Sequence, residues 1–254
     1  MKLLWQIELA DIDSVKAFYE KHRHNNFVIN RHRKNVQKIR PQFSKERFWH
    51  AMLSCRLTTQ QKSGPNSSVT RFISTKPFPL DYDICKNAKD AEQLVARVLT
   101  KFGGIRFAKT VAKETLLNLH WLEKESGWNE IEEIVYILSV GQTPQSERAS
   151  AEKIMESLHG FGPKQSRNLL QALGLTIYEI PIDSRITKWL MNNRFPKQLL
   201  RSKQNALSDK NYYNFILDGV QELCKAAGIY PCLLDAAIFS SYDEEWPEER
   251  NVLS

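Results

Sequence analysis

Helical hydrophobic periodicity runs through most of this 254-residue chain and constrains its fold more than any other feature. From residue 44 onward, apolar side chains recur at the three- and four-residue spacing that places them on one face of an α-helix. Phe48, Met52 and Leu57 show this spacing, and Ser44 stands just upstream as a helix cap. Glycine, proline and asparagine separate nine such segments, which lie near residues 48–57, 90–102, 106–122, 130–139, 149–158, 164–173, 184–193, 213–228 and 231–242. The pattern predicts an all-α protein.

The first 43 residues give a weaker signal. LLWQIEL is compatible with a short strand, and NNFVINRHRK with a loop or an edge strand, so a short N-terminal β element is one expectation. Residues 21–47 are also strongly basic and contain a single glutamate. We therefore divide the chain into an N-terminal basic segment, residues 1–43, and a helical core, residues 44–254. A chain of this length can form two helical lobes around a cleft.

Charge and cysteine usage narrow the class of partner. Lys and Arg outnumber Asp and Glu by 36 to 29, which favours a polyanion such as nucleic acid, with a solvated basic surface as the alternative. Cysteines at 55, 85, 224 and 232 form no closely spaced pair, so we expect neither structural zinc nor an iron–sulfur cluster. The sequence shows no export signal and no long apolar run, which predicts no membrane partner. An intracellular location follows, in the cytoplasm or nucleoid, or in the nucleus of a eukaryote.

A glycine-bracketed stretch, LHGFGPKQSRNLL at residues 158–170, separates two of the predicted helices. Glycine can adopt the positive φ of a tight reversal, and it lets another backbone come close. Phe161, between Gly160 and Gly162, is placed to plug inward. The helix that follows begins with unpaired N–H groups, which suit a DNA phosphate and read no base sequence. A plain capping turn would use the same residues, so the hairpin alone leaves both interpretations open.

Lys164 follows the hairpin directly, and Asp183 stands nineteen residues later in IPIDSRI. A lysine amine attacks a carbon atom only when it is uncharged, a form that an apolar pocket and a helix N-terminus both favour. A nearby carboxylate can accept the proton and stabilise the positive charge that builds on a sugar as its N-glycosidic bond breaks. Asp183 also occupies a position where aspartate caps helices, and both roles can hold together. Lys164 taken alone would be a solvated first-turn residue.

These motifs together resemble the helix-hairpin-helix base-excision DNA glycosylases. LHGFGPKQSRNLLQALG is similar to the hairpin of that family, and PIDSRI to its loop with an essential aspartate. The resemblance implies that Lys164 is the nucleophile of a bifunctional glycosylase/lyase, which forms a Schiff base with the sugar, and that Asp183 takes part in catalysis. FGGIRFAKTVA and FWHAMLSCRLTTQQ are weaker matches. The likeness spans roughly residues 45–240 and is specific over 156–190.

The resemblance also implies contacts with DNA. Such enzymes flip the target base out of the duplex, and a side chain fills the gap. Arg56, Gln60 and Gln61, at the end of the first core helix, are the candidates for this wedge. Candidate contacts with the DNA backbone are Gly160, Gly162, Gln165 and Arg185, the last of which stands where family members often have histidine.

The resemblance implies one cofactor, a structural cation beneath the hairpin. The backbone carbonyls of Glu156, Leu158 and Phe161 correspond to the family's site for a structural monovalent cation, potassium or sodium. Branches related to endonuclease III hold an iron–sulfur cluster with four cysteines near the C-terminus, where this chain has only Cys224 and Cys232. The chemistry itself needs no cofactor. The missing cysteines favour the branches without a cluster, which are the 8-oxoguanine and the alkyl-base glycosylases. Since the alkyl-base branch has no lysine at this site, Lys164 favours the 8-oxoguanine branch.

The C-terminal stretch PCLLDAAIFSSY is similar to the last helix of the 8-oxoguanine group. The similarity implies that Asp235 and Phe239 line the lesion pocket, although a helix-surface Asp and a core-packing Phe would give the same pattern. The main hypothesis is thus a DNA glycosylase and AP lyase that removes 8-oxoguanine from damaged double-stranded DNA, acting as a monomer. The alternatives are a non-catalytic helix-hairpin-helix DNA-binding module and a glycosylase for oxidised or mismatched pyrimidines.

Overall fold

A computed structural model describes residues 4–61, 64–124, 126–193, 195 and 206–242. In this part of the chain thirteen α-helices follow one another and no strand occurs, which confirms the predicted all-α class. A π-helix, His32–Val36, continues α2, and a 3₁₀-helix, Ala206–Ser208, precedes α12. The helices are α1 Leu9–His22, α2 Asn26–Arg31, α3 Lys45–Leu57, α4 Ser68–Ile73, α5 Tyr82–Lys86, α6 Ala91–Phe102, α7 Ala108–Lys124, α8 Gly127–Val140, α9 Pro144–Ser157, α10 Pro163–Ala172, α11 Ser184–Asn192, α12 Lys210–Ala227 and α13 Pro231–Ser241.

The predicted N-terminal β element is wrong for the residues that the structure describes. NNFVINRHRK forms α2 and the π-helix, and Asn25 caps α2 by accepting a hydrogen bond from the Phe27 N–H at 2.9 Å. Residues 4–8 form no strand, and α1 begins at residue 9. Ile12, Val15 and Phe18 of α1 recur every three residues and pack into the protein interior. Burial of that helical face outweighs the local strand propensity of the segment.

Two large hydrophobic cores divide the described residues into two lobes, and a small third cluster joins α2 to α13 in the second lobe. The first lobe packs α3 to α10 around buried side chains such as Trp49, Leu99 and Ile131. The second lobe packs α1, residues 177–182 and α11 to α13 around a separate core that includes Trp189 and Leu217. The N-terminal helix therefore joins the C-terminal helices in space. The division of the chain at residue 43 stays a prediction.

Part of the positive charge in residues 21–47 has a structural use. The Lys34 ammonium donates to the Ala172 carbonyl at 3.0 Å, and Arg40 donates to the Gly174 carbonyl. Both carbonyls lie at the C-terminal end of α10, where unpaired carbonyls and the helix dipole favour cations. Burial lowers the pKa of Lys34 well below its usual value. These side chains stabilise the fold rather than form a free surface for a polyanion.

No single helix of the described chain is long and apolar enough to cross a membrane, although α12 and α13 together, bent by 99°, pass that test by length and composition. All four cysteines are free and buried. Cys55 and Cys85 lie in the first core, whereas Cys224 and Cys232 lie in the second. The expected absence of an iron–sulfur cluster and the expected intracellular location stay predictions.

Candidate functional site

A tight hairpin joins α9 to α10. Gly160 has a φ of +81°, and a Cβ atom there would lie 2.6 Å from both the Arg56 Nε and a Glu114 carboxylate oxygen. Glycine is therefore required both by the backbone angle and by the side chains beneath it. Asn118 fixes the turn from below, because its amide donates to the His159 carbonyl at 3.1 Å and accepts from the His159 N–H at 2.8 Å. Phe161 is buried, which confirms that it plugs inward.

The second hairpin glycine has a different environment. Gly162 is the N-cap of α10, it is exposed, and its φ of −94° is accessible to any residue. A Cβ atom at this position would meet no protein atom within 4 Å. The fold of the free protein therefore places no demand for glycine at residue 162. The first N–H groups of α10 have no partner within the helix, and such groups suit an anion.

A cleft of about 1060 Å³ lies between the two lobes. Lys164, Asn168 and Gln171 line it from the first lobe, because their spacing of four and three residues places them on one face of α10. Asp183 lines the same cleft from the second lobe. The structure thus brings the predicted amine and carboxylate to one cavity. Other residues that line the cleft include Phe27, Arg31, Gln60, Gln61, Arg106, Arg185, Lys188, Asp235 and Phe239.

Asp183 is the N-cap of α11. Its Oδ1 accepts hydrogen bonds from the Arg185 N–H at 2.8 Å and the Ile186 N–H at 3.0 Å. Its Oδ2 lies 3.5 Å from an Arg185 guanidinium nitrogen, and the side chain is 18% exposed. Capping therefore uses one carboxylate oxygen and leaves the other, beside Arg185, for a second role. The predicted cap and the predicted catalytic position are compatible.

Lys164 is the second residue of α10 and is partly exposed on the cleft wall. No carboxylate of the described residues forms an ion pair with its amine. The neighbouring residue differs, because the Gln165 amide donates to the backbone carbonyl of Cys55 at 2.8 Å. The Lys164 amine thus remains available to a molecule that enters the cleft.

Aromatic and charged side chains form the second-lobe part of the cleft. Arg31 and Asp235 form a buried ion pair at 2.8 Å, and burial raises the pKa of Asp235 to about 6 although Arg31 opposes the change. The rings of Phe27 and Phe239 stack with centroids 4.8 Å apart. The Arg185 guanidinium lies 4.2 Å above the Phe239 ring. Asp235 is thus a buried cleft residue, not a residue of the helix surface.

Two predicted DNA contacts point away from the cleft. Arg56 is buried beneath the hairpin, where it forms an ion pair with Glu114. Gln165 is 4% exposed, and its amide donates to the Cys55 carbonyl and to the Thr59 hydroxyl. Both side chains tie α3 to neighbouring helices, so neither is placed to touch DNA. The sequence could not show this, because helix register alone does not tell which polar residue meets a buried partner.

The two glutamines at the end of α3 differ in their freedom. The Gln61 amide is bound at both ends, since its oxygen accepts from the Arg106 N–H at 2.9 Å and its nitrogen donates to the Leu57 carbonyl. Gln60 is exposed and has a φ of +53°, which is rare for a residue other than glycine. Its carbonyl accepts from Arg106 at 3.0 Å. Backbone strain of this kind concentrates at functional sites, so Gln60 is the strongest of the three wedge candidates.

Sequence reasoning missed several cleft residues. Gln171 was detectable, because it lies seven residues after Lys164 and hence on the same helical face. Phe27 and Arg31 carry no local signal for such a role. They reach the cleft only because α2 packs against α13, which is more than 200 residues away in the chain, as the 204-residue separation of Arg31 and Asp235 shows.

The predicted monovalent-cation site lies at the C-terminal end of α9. α9 ends at Ser157, so the carbonyls of Glu156 and Leu158 lie where helical partners run out. The Leu158 carbonyl accepts one hydrogen bond, from the Phe161 N–H at 3.3 Å, and a carbonyl oxygen has a second lone pair. The three oxygens could coordinate a cation without any side-chain ligand. The ion itself stays a prediction.

Comparison with known proteins rests on structure. No family model matches the sequence, and no curated protein matches it either. An 8-oxoguanine DNA glycosylase of Methanocaldococcus jannaschii has a TM-score of 0.65 at 14% identity, over 92% of this chain and 94% of that one. The chain has the fold of the 8-oxoguanine DNA glycosylases. The 8-oxoguanine glycosylase/lyase of the same organism, in complex with a 15mer DNA containing 8-oxoguanine, gives a TM-score of 0.67 at 14% identity and covers 91% and 98% of the two chains.

A third structure with this fold is the 8-oxoguanine DNA glycosylase of Thermotoga maritima. It has a TM-score of 0.64 and 14% identity, and the match covers 92% of this chain and 98% of that one. Because the sequence identity is low, these structural matches establish the 8-oxoguanine glycosylase fold and not the reaction. At the level of the fold, these matches confirm the family resemblance that the hairpin and the PIDSRI loop indicate.

Proposed function

We propose that this protein is a DNA glycosylase with AP lyase activity, which excises 8-oxoguanine from double-stranded DNA during base-excision repair. The observation that carries the proposal is the position of Lys164 and Asp183 in one interlobe cleft, on the fold of the 8-oxoguanine DNA glycosylases. The predicted monomeric state is retained, since the cleft is formed within one chain.

The reaction follows from the two side chains. The neutral Lys164 amine attacks C1′ of the flipped nucleotide, the N-glycosidic bond breaks, and its electron pair leaves with the base, which takes up a proton. Asp183 stabilises the positive charge on the sugar and accepts the proton that the amine loses. Opening of the sugar ring converts the C1′–N bond to a Schiff base. Loss of a C2′ proton then expels the 3′ phosphate and nicks the strand.

Asp235 supports an oxidised purine as the substrate. Guanine presents a lone pair at N7, whereas 8-oxoguanine carries a hydrogen there. An ionised carboxylate accepts a hydrogen bond from the N7–H of the oxidised base and repels the lone pair of the normal one. Asp235 is held in the cleft by Arg31, and Phe239 lines the same cleft. Asp235 is therefore the residue that discriminates against undamaged guanine.

Duplex DNA contacts both walls of the cleft in this proposal. Gly162 and the first turn of α10 bind a backbone phosphate, and Arg185 binds another near the target nucleotide. Gln60 enters the duplex and fills the space that the flipped base leaves. Because flipping costs a few kcal/mol, the wedge and the phosphate contacts must together offset it.

Borohydride trapping tests the proposal. The wild-type protein, incubated with an 8-oxoguanine duplex and sodium borohydride, should give a covalent complex, and Lys164→Gln should abolish it. Lys153→Gln is the matched control, because this lysine pairs with Glu130 outside the cleft. The same assay on duplexes with oxidised or mismatched pyrimidines separates the two substrate classes. Failure of the wild-type protein to trap any damaged or abasic duplex would overturn the enzymatic proposal and leave a non-catalytic DNA-binding module.

A further inference from the structure

A buried arginine connects the helix that carries Lys164 to the segment that carries Asp183. Arg167 lies on α10, one turn after Lys164, and is only 1% exposed. Its guanidinium donates to the carbonyl of Pro163, the residue before Lys164, at 3.0 Å. It also donates to the carboxylate of Glu179 at 2.6 Å. Glu179 is fully buried and stands four residues before Asp183.

Further hydrogen bonds fix the segment between Glu179 and Asp183. The Tyr213 hydroxyl accepts from the Ile182 N–H at 2.5 Å and donates to the Ile180 carbonyl at 3.0 Å. The Arg167 guanidinium lies 4.7 Å above the same tyrosine ring. The Glu147 carboxylate, also buried, accepts from three successive N–H groups at 2.8 Å each, those of Ile177, Tyr178 and Glu179. The segment that leads to Asp183 therefore has little freedom to shift.

Stability alone gives a weak reason for burying this ion pair. The desolvation cost of a buried guanidinium and carboxylate is offset only roughly by their attraction, and apolar pairs of similar volume are often as stable. An apolar pair cannot, however, fix the relative position of two chain segments as a planar fork of N–H donors does. Arg167 uses three of its nitrogens, with Asn214 as the third partner at 2.7 Å.

We infer that Arg167 and Glu179 are positioning residues, which set the distance between the Lys164 amine and the Asp183 carboxylate. This inference rests on the proposed function. Neither residue lines the cleft, so neither touches the nucleotide. Their effect is on the chemical step, because a displacement of about 1 Å between reacting groups can cost roughly 100-fold in rate.

An apolar replacement of the pair separates positioning from stability. In the double variant Arg167→Met/Glu179→Leu, the groups that lose a partner keep another one. Arg148 still pairs with Asp218 at 2.7 Å, and the Asn214 amide still donates to Glu152 at 2.9 Å. The matched control is Lys153→Met/Glu130→Leu, which removes an ion pair between α8 and α9 outside the cleft.

The measurements are thermal unfolding, affinity for an abasic-site duplex, and the single-turnover rate of borohydride trapping on that duplex. We expect the double variant to unfold within a few degrees of wild type and to bind the duplex with unchanged affinity, but to trap roughly 10- to 100-fold more slowly. The control should match wild type in all three. A double variant that folds and traps at the wild-type rate overturns the inference.

A conservative variant keeps the test decisive if the double variant does not fold. Arg167→Lys retains the charge opposite Glu179 but cannot reach Pro163 and Asn214 at the same time. A slower trapping rate at unchanged duplex affinity supports positioning, whereas a wild-type rate overturns it. Absence of trapping by the wild-type protein is a different result, since it contradicts the proposed function itself.

Discussion

The two glycines of the hairpin are glycine for different reasons. Gly160 has a positive φ and lies against the Arg56 and Glu114 side chains, so the fold requires it. Gly162 has an ordinary φ and open space around it, so nothing within the free protein requires it. A residue that the fold does not need to be small is best explained by close approach of a ligand. The DNA backbone is that ligand in the proposed function.

Alanine substitutions should separate the two reasons. We expect Gly160→Ala to lower the free energy of unfolding by about 1–3 kcal/mol, because it forces an unfavourable φ and a steric overlap. Gly162→Ala should change it by less than about 1 kcal/mol, because alanine is a poorer N-cap than glycine but loses less backbone entropy on folding, and it should weaken duplex binding several-fold. Urea denaturation and fluorescence anisotropy measure the two effects. Unchanged duplex affinity of Gly162→Ala would show that no phosphate approaches this turn.

Asp235 should make base recognition depend on pH. Burial raises its pKa to about 6, so the carboxyl is ionised above that pH and protonated below it. Protonation of Asp235 also affects stability, because the native state holds the proton more tightly than the unfolded state. The contribution of Asp235 to the free energy of unfolding is therefore greatest below about pH 4 and is lost as the pH rises through about 6. Recognition of an N7–H needs the ionised form, so 8-oxoguanine excision should fall as the pH is lowered from 7 to 5.

The ratio of 8-oxoguanine excision to abasic-site trapping, measured at each pH, isolates this effect. Glu147, whose pKa burial raises to about 7, titrates in the same range but acts on both reactions. Asp235→Asn should give a low ratio at every pH. A wild-type ratio that stays constant between pH 5 and 7 would rule out Asp235 as the discriminating group.

At the scale of elements, helix ends carry most of the candidate chemistry. Lys164 lies in the first turn of α10, and Asp183 caps α11. The predicted helices from residue 44 onward occur at these places because periodic burial and capping residues act locally. α1, α2 and the short helices α4 and α5 were missed. The apolar faces of α1 and α2 are recognisable only beside the C-terminal helices that cover them.

Substitutions of Asp183 should separate helix capping from catalysis. Asparagine is as good an N-cap as aspartate, so Asp183→Asn should unfold at nearly the wild-type temperature and still lose trapping activity. Asp183→Ala should lose activity and about 1 kcal/mol of stability as well. Calorimetry and trapping of the two variants side by side make the comparison. If Asp183→Asn retained full activity, the carboxylate would have only a structural role.

At the scale of the molecule, the cleft exists because α1 and α2 belong to the same lobe as α11 to α13. α1 and α2 pack against α13, and the first lobe, α3 to α10, lies between them in sequence. The cleft walls therefore come from both lobes, with Arg106 on the first and Lys188 on the second. Cations on both walls suit a polyanion that spans the cleft.

Removal of a wall cation should weaken DNA binding in a salt-dependent way. Lys188→Ala should reduce affinity similarly for damaged and undamaged duplexes and lower the slope of log K against log salt by about one, because one phosphate contact is lost. Lys101→Ala is the control, since Lys101 is exposed on α6 and does not line the cleft. Titrations at several salt concentrations give the slopes. An unchanged slope for Lys188→Ala would place the duplex elsewhere.

The sequence by itself determined the helical class, the hairpin, and the candidate pair of Lys164 and Asp183, since these depend on local periodicity, turn chemistry and short motifs. Only the tertiary structure showed that Arg56 and Gln165 face inward, that Arg31 holds Asp235, and that Arg167 links the segments that carry Lys164 and Asp183. The physical reason is that a side chain's partner across lobes is chosen by burial and desolvation over the whole fold. The local sequence around a residue therefore does not identify its partner in the other lobe.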